Sequence, residues 1–130
     1  MTVRVGIDLV SVQAVQDSLH AHRDSYLSRV YTDREVTDCR TADGMDAERL
    51  AARFAAKEAA LKVLRPRDGG IPWSAIEVRR DPGGWVEMEL SGAAADLAEA
   101  AGVAELAVSL SHEGGFASAV VIAELRPSSR

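Results

Sequence analysis

Apolar and polar positions alternate at the start of the chain, Val3-Arg4-Val5-Gly6-Ile7-Asp8-Leu9-Val10, and predict a strand. Strict alternation sets Val3, Val5 and Ile7 on one face and Arg4, Gly6, Asp8 and Val10 on the other. Ser11 is a capping residue, and Val12, Val15 and Leu19 follow at helical spacing, predicting a helix to about His22. A short helical piece is expected around Tyr26 to Val30. Thr32-Asp33-Arg34-Glu35 fits a capping box, in which the Thr32 and Glu35 side chains satisfy free amides at a helix start. Residues 40–46 read as a loop, and Asp46 caps the strongest predicted helix, Ala47 to about Leu64, which is alanine-rich and free of Gly and Pro. Within it Leu50, Phe54, Leu61 and Leu64 form an apolar stripe at i, i+4, i+11 and i+14, expected to face a sheet.

Arg65-Pro66-Arg67-Asp68-Gly69-Gly70 ends that helix in a polar loop. Strands are then predicted at Ala75 to Arg79 and Trp85 to Leu90, with Asp81-Pro82-Gly83-Gly84 as the hairpin turn. Ser91 is expected to cap a helix to about Ala101, closed by Gly102. The last strands are expected at about Leu106 to Ser111 and Phe116 to Leu125, joined through Gly114-Gly115. A strand, then helices, then mostly strands implies an α+β fold, a small antiparallel sheet packed against a long central helix. A length of 130 residues fits one domain, taken as 1–125, with 126–130 as a frayed tail.

Composition narrows the function classes. Hydrophobic residues make up 47% of the chain and aromatics 5%, so aliphatic residues and alanine carry the packing, and large aromatic stacking platforms are not expected. A net charge of −5 argues against general binding to nucleic acid or an anionic membrane. Cys39 is the only cysteine, which excludes an intrachain disulfide and a cysteine-rich zinc site and fits a reducing, cytoplasmic setting. The start of the chain lacks a signal-peptide pattern, and no apolar run approaches the ~20 residues that span a bilayer.

Two carboxylates are candidates for chemistry. Glu58 lies about 40° from Phe54 on the helix, with Lys62 one turn further along the same edge. A carboxylate beside a buried stripe calls for a cation or hydrogen bonds, but on spacing alone an ordinary i, i+4 pair with Lys62 is the simpler account. Asp8, at the end of an apolar strand, is either a capping or edge-strand residue or a ligand for a hard cation such as Mg²⁺. Neither position decides the function alone.

The longer strings carry more. Gly6-Ile7-Asp8, then Arg29-Val30-Tyr31-Thr32 with Glu35, the run Leu50-Ala51-Ala52-Arg53-Phe54-Ala55-Ala56-Lys57-Glu58-Ala59, Lys62, and Val108-Ser109-Leu110-Ser111-His112 occur in this order. Together they resemble the holo-acyl-carrier-protein synthase family of 4′-phosphopantetheinyl transferases, over nearly the whole chain. The resemblance implies that Asp8 and Glu58 are ligands for Mg²⁺, shared with the pyrophosphate of coenzyme A and water. It implies a phosphate contact for Lys62, contact with or positioning of anionic groups for Arg53 and Lys57, and a place near the coenzyme A nucleotide for His112. His20 and His22 are assigned no role. It further implies homotrimers with active sites between adjacent subunits, and an acyl carrier protein as partner.

The implied reaction is attack by a carrier serine hydroxyl on the β-phosphate of coenzyme A, transferring 4′-phosphopantetheine and releasing 3′,5′-ADP. Either Glu58 or a water at the ion would accept the serine proton. The chain departs from the family pattern at two places. An arginine used to grip the carrier usually stands six residues after the aspartate matching Asp8, where this chain has Ala14 after Gln13. Arg23, Arg29 or Arg34 offers a different basic surface; the other reading is a coenzyme A-binding or assembly subunit without catalysis. The usual glycine-rich loop after the signature helix is replaced by Arg65 to Gly70, whose arginines either reach phosphate or form an ordinary solvated helix end.

Overall fold

An extended strand and a helix that lies directly on it set the architecture. In the computed structural model, which describes residues 2–67 and 70–127, β1 (Thr2–Ser11) leads into α1 (Val12–Val30) and α2 (Asp33–Cys39). A two-residue-strand hairpin, β2 (Arg40–Thr41) and β3 (Gly44–Met45), occupies the expected loop before α3 (Ala47–Leu64). A single 3₁₀ turn at Trp73–Ala75 precedes β4 (Ile76–Arg80) and β5 (Val86–Leu90), then come α4 (Gly92–Ala101), β6 (Val103–Glu113) and β7 (Phe116–Leu125). The main sheet is antiparallel in the order β1-β7-β6, and β4 and β5 form a separate hairpin. This is the expected α+β arrangement. Among the described residues no helix is long and apolar enough to cross a membrane.

Most local signals fold as their chemistry requires, but the Ser91 side chain makes no cap hydrogen bond at the start of α4. The Ser11 side chain accepts the Ala14 N–H, and Asp46 accepts those of Glu48 and Arg49. Thr32 and Glu35 form the reciprocal capping box. The two helical pieces read around His22 are joined in α1, where His22 itself has non-helical angles (φ −144°, ψ 43°). Gly102 closes α4 at φ 80°, a left-handed conformation glycine adopts without penalty. In the loop after α3, Asp68 and Gly69 lie outside the described residues, as do Ser128–Arg130 of the expected tail.

Two packing features depart from the ordinary pattern. Alternation along β1 is kept, but the face carrying Arg4, Gly6, Asp8 and Val10 turns toward α3, while Val3, Val5, Ile7 and Leu9 stay exposed. The helix also meets the sheet through a different stripe from the one expected. Ala52, Ala55, Ala56, Ala59 and Val63 cover β7, whose inward residues are Ala117, Ala119, Val121 and Ala123. Phe54 points another way, its ring packed 5.2 Å from that of Trp73, while the Tyr31 hydroxyl donates to the Leu50 backbone carbonyl. Small residues on both surfaces let helix and sheet backbones approach closely, whereas bulkier side chains fill the wider space toward α1, α2 and the 3₁₀ turn.

Candidate functional site

Close approach of α3 to β1 creates the first cluster. A Cβ on Gly6 would run into the carbonyl oxygen of Ala59 and lie 3.2 Å from the Lys62 Cβ, so only glycine permits this crossing. Two residues further along, Asp8 reaches the helix edge that carries Glu58 and Lys62. Lys62 Nζ donates to the Ile7 carbonyl at 2.7 Å and pairs with Asp8 Oδ1 at 3.3 Å. On the other side of the crossing, Arg4 Nη1 donates to the Val63 carbonyl at 3.0 Å and ties the strand to the helix end.

The electrostatics of this cluster are unbalanced. Partial burial raises the Glu58 carboxyl above the usual range, the Asp8 carboxylate adds to the rise, and Lys62 opposes it. Two carboxylates facing one ammonium leave an excess negative charge, and an all-oxygen donor set suits a hard divalent cation. Among the described residues no group of three or more His, Cys, Asp or Glu could hold a metal. A cation held at Asp8 and Glu58 would therefore take its remaining ligands from water or phosphate, as Mg²⁺ commonly does.

At the opposite edge of the sheet, beside β6, the N-terminal half of α3 and the β4–β5 hairpin enclose a cleft of about 580 Å³. Arg49, Arg53, Arg80, Trp85, Val108 and His112 are on its walls. Arg53 is 1% exposed; its Nη1 donates to the Arg49 carbonyl at 3.3 Å, but Nε and Nη2 have no partner among the described residues. Buried, unpartnered guanidinium donors cost about 1–3 kcal/mol or more each, so an acceptor arriving in this cleft would be bound with gain. His112 Nδ1 lies 3.1 Å from Glu48 Oε2 at the same end of α3.

Lys57 belongs to neither surface. It is fully buried, 2.7 Å from Glu35 Oε1, and donates to the carbonyls of Trp73 and Ile76. Burial lowers its pKa, and Glu35 counters that shift. Glu35 also accepts the N–H groups of Thr32 and Val78, so this one pair ties α2, α3 and β4 together. The anionic group that Lys57 positions is thus a core glutamate. Cys39 is buried beside this network, its thiol pushed up to about 11 chiefly by burial and held back in part by Arg53. His20 and His22 are exposed on α1, as are Ala14, Arg23 and Arg29 there and Arg34 on α2.

Of the residues singled out from sequence, Asp8, Glu58 and Lys62 come together at the β1 edge, and Arg53 and His112 line the cleft. Arg49, Arg80 and Trp85 of the cleft and Glu35 as the partner of Lys57 were not expected. Arg49 stands one helical turn before Arg53, and Arg80 and Trp85 bracket the Asp81–Gly84 turn; only folding that hairpin back onto α3 brings the three together.

Known proteins resemble this chain over most of its length. The model of the 4′-phosphopantetheinyl transferase superfamily matches residues 4–121. A holo-[acyl-carrier-protein] synthase of Koribacter versatilis is 40% identical over 125 residues, covering 95% of this chain and 99% of its own. One of Moorella thermoacetica is 39% identical, with 94% of each chain covered. Among solved structures, the Chronobacterium ammoniagenes ACPS–CoA complex superposes with a TM-score of 0.85 at 32% identity, covering 98% of this chain and 100% of that one. The Helicobacter pylori holo-[acyl-carrier-protein] synthase in complex with coenzyme A gives 0.80 at 26% identity, with 93% and 100% covered. The chain belongs to the holo-[acyl-carrier-protein] synthase family of the 4′-phosphopantetheinyl transferase superfamily.

Proposed function

We propose that this protein transfers 4′-phosphopantetheine from coenzyme A to a serine of an apo-acyl carrier protein, and that Asp8, Glu58 and Lys62 form the transfer centre. The observation that carries this reading is the Gly6 crossing, which sets Asp8 against the Glu58–Lys62 edge of α3. Asp8 and Glu58 would hold Mg²⁺, which when bound supplies charge neutralisation to the pyrophosphate. Lys62, half exposed, is free to leave the Ile7 carbonyl and meet a phosphate oxygen. Phosphoryl-type transfer depends mainly on alignment and charge, which this cluster is built to provide.

The bonds balance simply. The serine oxygen forms a bond to the β-phosphorus, the bridging P–O bond breaks, and 3′,5′-ADP leaves with the electron pair. The serine proton goes to a base, either the Glu58 carboxylate or a water at the ion. The nucleotide end of coenzyme A would lie in the arginine cleft, where Arg53 offers its unpartnered donors and His112 leaves Glu48 for a phosphate.

The cleft and the acid pair sit on opposite edges of the sheet, so one chain does not bring them together. A homotrimer supplies the missing juxtaposition. The outer sheet face exposes Val3, Val5, Ile7, Leu9, Phe116 and Ile122, an apolar surface that self-association would cover. Head-to-tail packing of these faces about a threefold axis places the β1 edge of one subunit beside the β6 edge of the next. Carrier docking would use basic side chains other than the residue at Ala14, with Arg23 and Arg29 of α1 exposed for it. The test is incubation with coenzyme A, Mg²⁺ and a panel of apo-carriers, read by intact mass. One added phosphopantetheine on a carrier serine is expected; coenzyme A binding with no transfer to any carrier would leave a non-catalytic subunit instead.

A further inference from the structure

We propose that Trp85 is the base-reading residue of this protein, stacking its indole on the purine of the coenzyme A nucleotide; this rests on the cleft being the nucleotide site. The aromatic residues of the chain are two each of Trp, Tyr and Phe. Four are used in the interior as the edge-to-face pair Tyr26–Tyr31 and the tilted pair Phe54–Trp73. Phe116 joins the apolar outer face of the sheet. Trp85 alone stands at the cleft, and at 77% it is the most exposed large hydrophobic side chain among the described residues.

Its setting is firm. The Trp85 N–H donates to Asp81 Oδ1 at 3.1 Å, the Asp81 N–H donates back to the Trp85 carbonyl at 2.9 Å, and Gly84 closes the turn at φ +90°. A Cβ on Gly83 would stand 3.3 Å from Asp81 Oδ1 and 3.4 Å from Trp85 Cδ1, so the indole edge lies close over the turn. The backbone beneath the ring is thus fixed while the side chain remains largely exposed. The same cleft is lined by Arg49, paired with Asp46, by His112 beside Glu48, and by Arg53 with its two unpartnered donors. A flat apolar ring in one cleft with the unpartnered Arg53 donors matches a ligand with a planar base at one end and phosphate on its ribose. Stacking reads the face of a base rather than its edge, so it favours a nucleotide over a base-free phosphate ester without selecting one purine strongly. The low aromatic content of the chain does not weigh against this, because one ring suffices for one base.

The experiment measures binding of coenzyme A, 3′,5′-ADP and inorganic pyrophosphate by calorimetry, with Mg²⁺, to wild type, Trp85→Ala and Trp85→Phe. Trp85→Ala is expected to bind coenzyme A and 3′,5′-ADP roughly five- to a hundredfold more weakly, with pyrophosphate binding unchanged and Trp85→Phe restoring most of the loss. In steady-state transfer the KM for coenzyme A should rise with kcat retained. Equal 3′,5′-ADP affinity in wild type and Trp85→Ala overturns the proposal. A changed oligomeric state of Trp85→Ala by sedimentation also overturns it, since Trp85 would then be a subunit contact. If wild type binds neither coenzyme A nor 3′,5′-ADP, the nucleotide reading of the cleft falls first and this inference with it.

Discussion

Gly6 lies so close under the Ala59 carbonyl that strand and helix touch backbone to backbone, and this contact sets Asp8 beside Glu58 and Lys62. A methyl group at Gly6 must push α3 off the sheet. Gly6→Ala is expected to cost about 1–3 kcal/mol of stability, as overpacked positions do. Because the displaced element carries the proposed transfer centre, transfer should fall by about a hundredfold or more, even at temperatures where the variant is fully folded. Thermal denaturation and a transfer assay on the same sample check both.

Glu58 sets a pH dependence with a definite sign. Its folded-state value is raised, first by burial and then by Asp8. Its stability contribution is therefore fully present below the unfolded carboxylate pKa and is lost as pH rises through the raised value. At neutral pH the ionised group works against the metal-free fold. Glu58→Gln should raise the metal-free Tm at neutral pH, and Mg²⁺ should raise the Tm of wild type but not of the variant. The Mg²⁺ effect on wild type should fade as pH drops through the raised Glu58 value, in a thermal-shift series across mildly acidic to neutral buffers.

Lys57 and Glu35 separate a structural role from a ligand role. Lys57→Met leaves Glu35 charged and buried without its cation, a loss of about 3–5 kcal/mol by denaturant unfolding. Glu35→Gln combined with Lys57→Met should recover part of that loss. The coenzyme A KM of whichever variant remains folded should stay near the wild-type value, because Lys57 touches neither the cleft nor the acid pair.

Ile7 sits at the middle of the exposed outer face of β1, 58% open in the single chain. Ile7→Lys should leave the monomer fold unchanged by circular dichroism, since the side chain points away from α3. If the proposed homotrimer holds, sedimentation should show dissociation from trimer to monomer, with loss of transfer, because the cleft and the acid pair would no longer share a site.

Much of this was legible in the chain. Capping residues Ser11, Thr32, Glu35 and Asp46 act locally, so the helix starts follow directly from sequence. The Asp81–Gly84 turn and the Gly102 stop are equally local. What sequence did not resolve depends on which neighbour each face meets. Periodicity identified Leu50, Phe54, Leu61 and Leu64 as one stripe, yet the sheet took the alanine stripe, because β7 presents alanines and the backbones close in. Alternation separated the two faces of β1 without showing that the apolar one stays open. Lys57 looked like a partner for an external anion until Glu35, twenty-two positions away, was brought beside it. The cleft joins residues from α3, the β4–β5 turn and β6, a convergence that spacing along the chain does not encode.

The most direct test of the transfer centre compares wild type with Glu58→Ala in a single assay of phosphopantetheine transfer to a competent apo-carrier, at saturating coenzyme A and Mg²⁺. Wild type should modify the carrier serine, and Glu58→Ala should lose transfer by about a hundredfold or more, while circular dichroism and sedimentation match wild type. Transfer by Glu58→Ala at a rate close to wild type would contradict the assignment of Asp8 and Glu58 as the metal-holding pair.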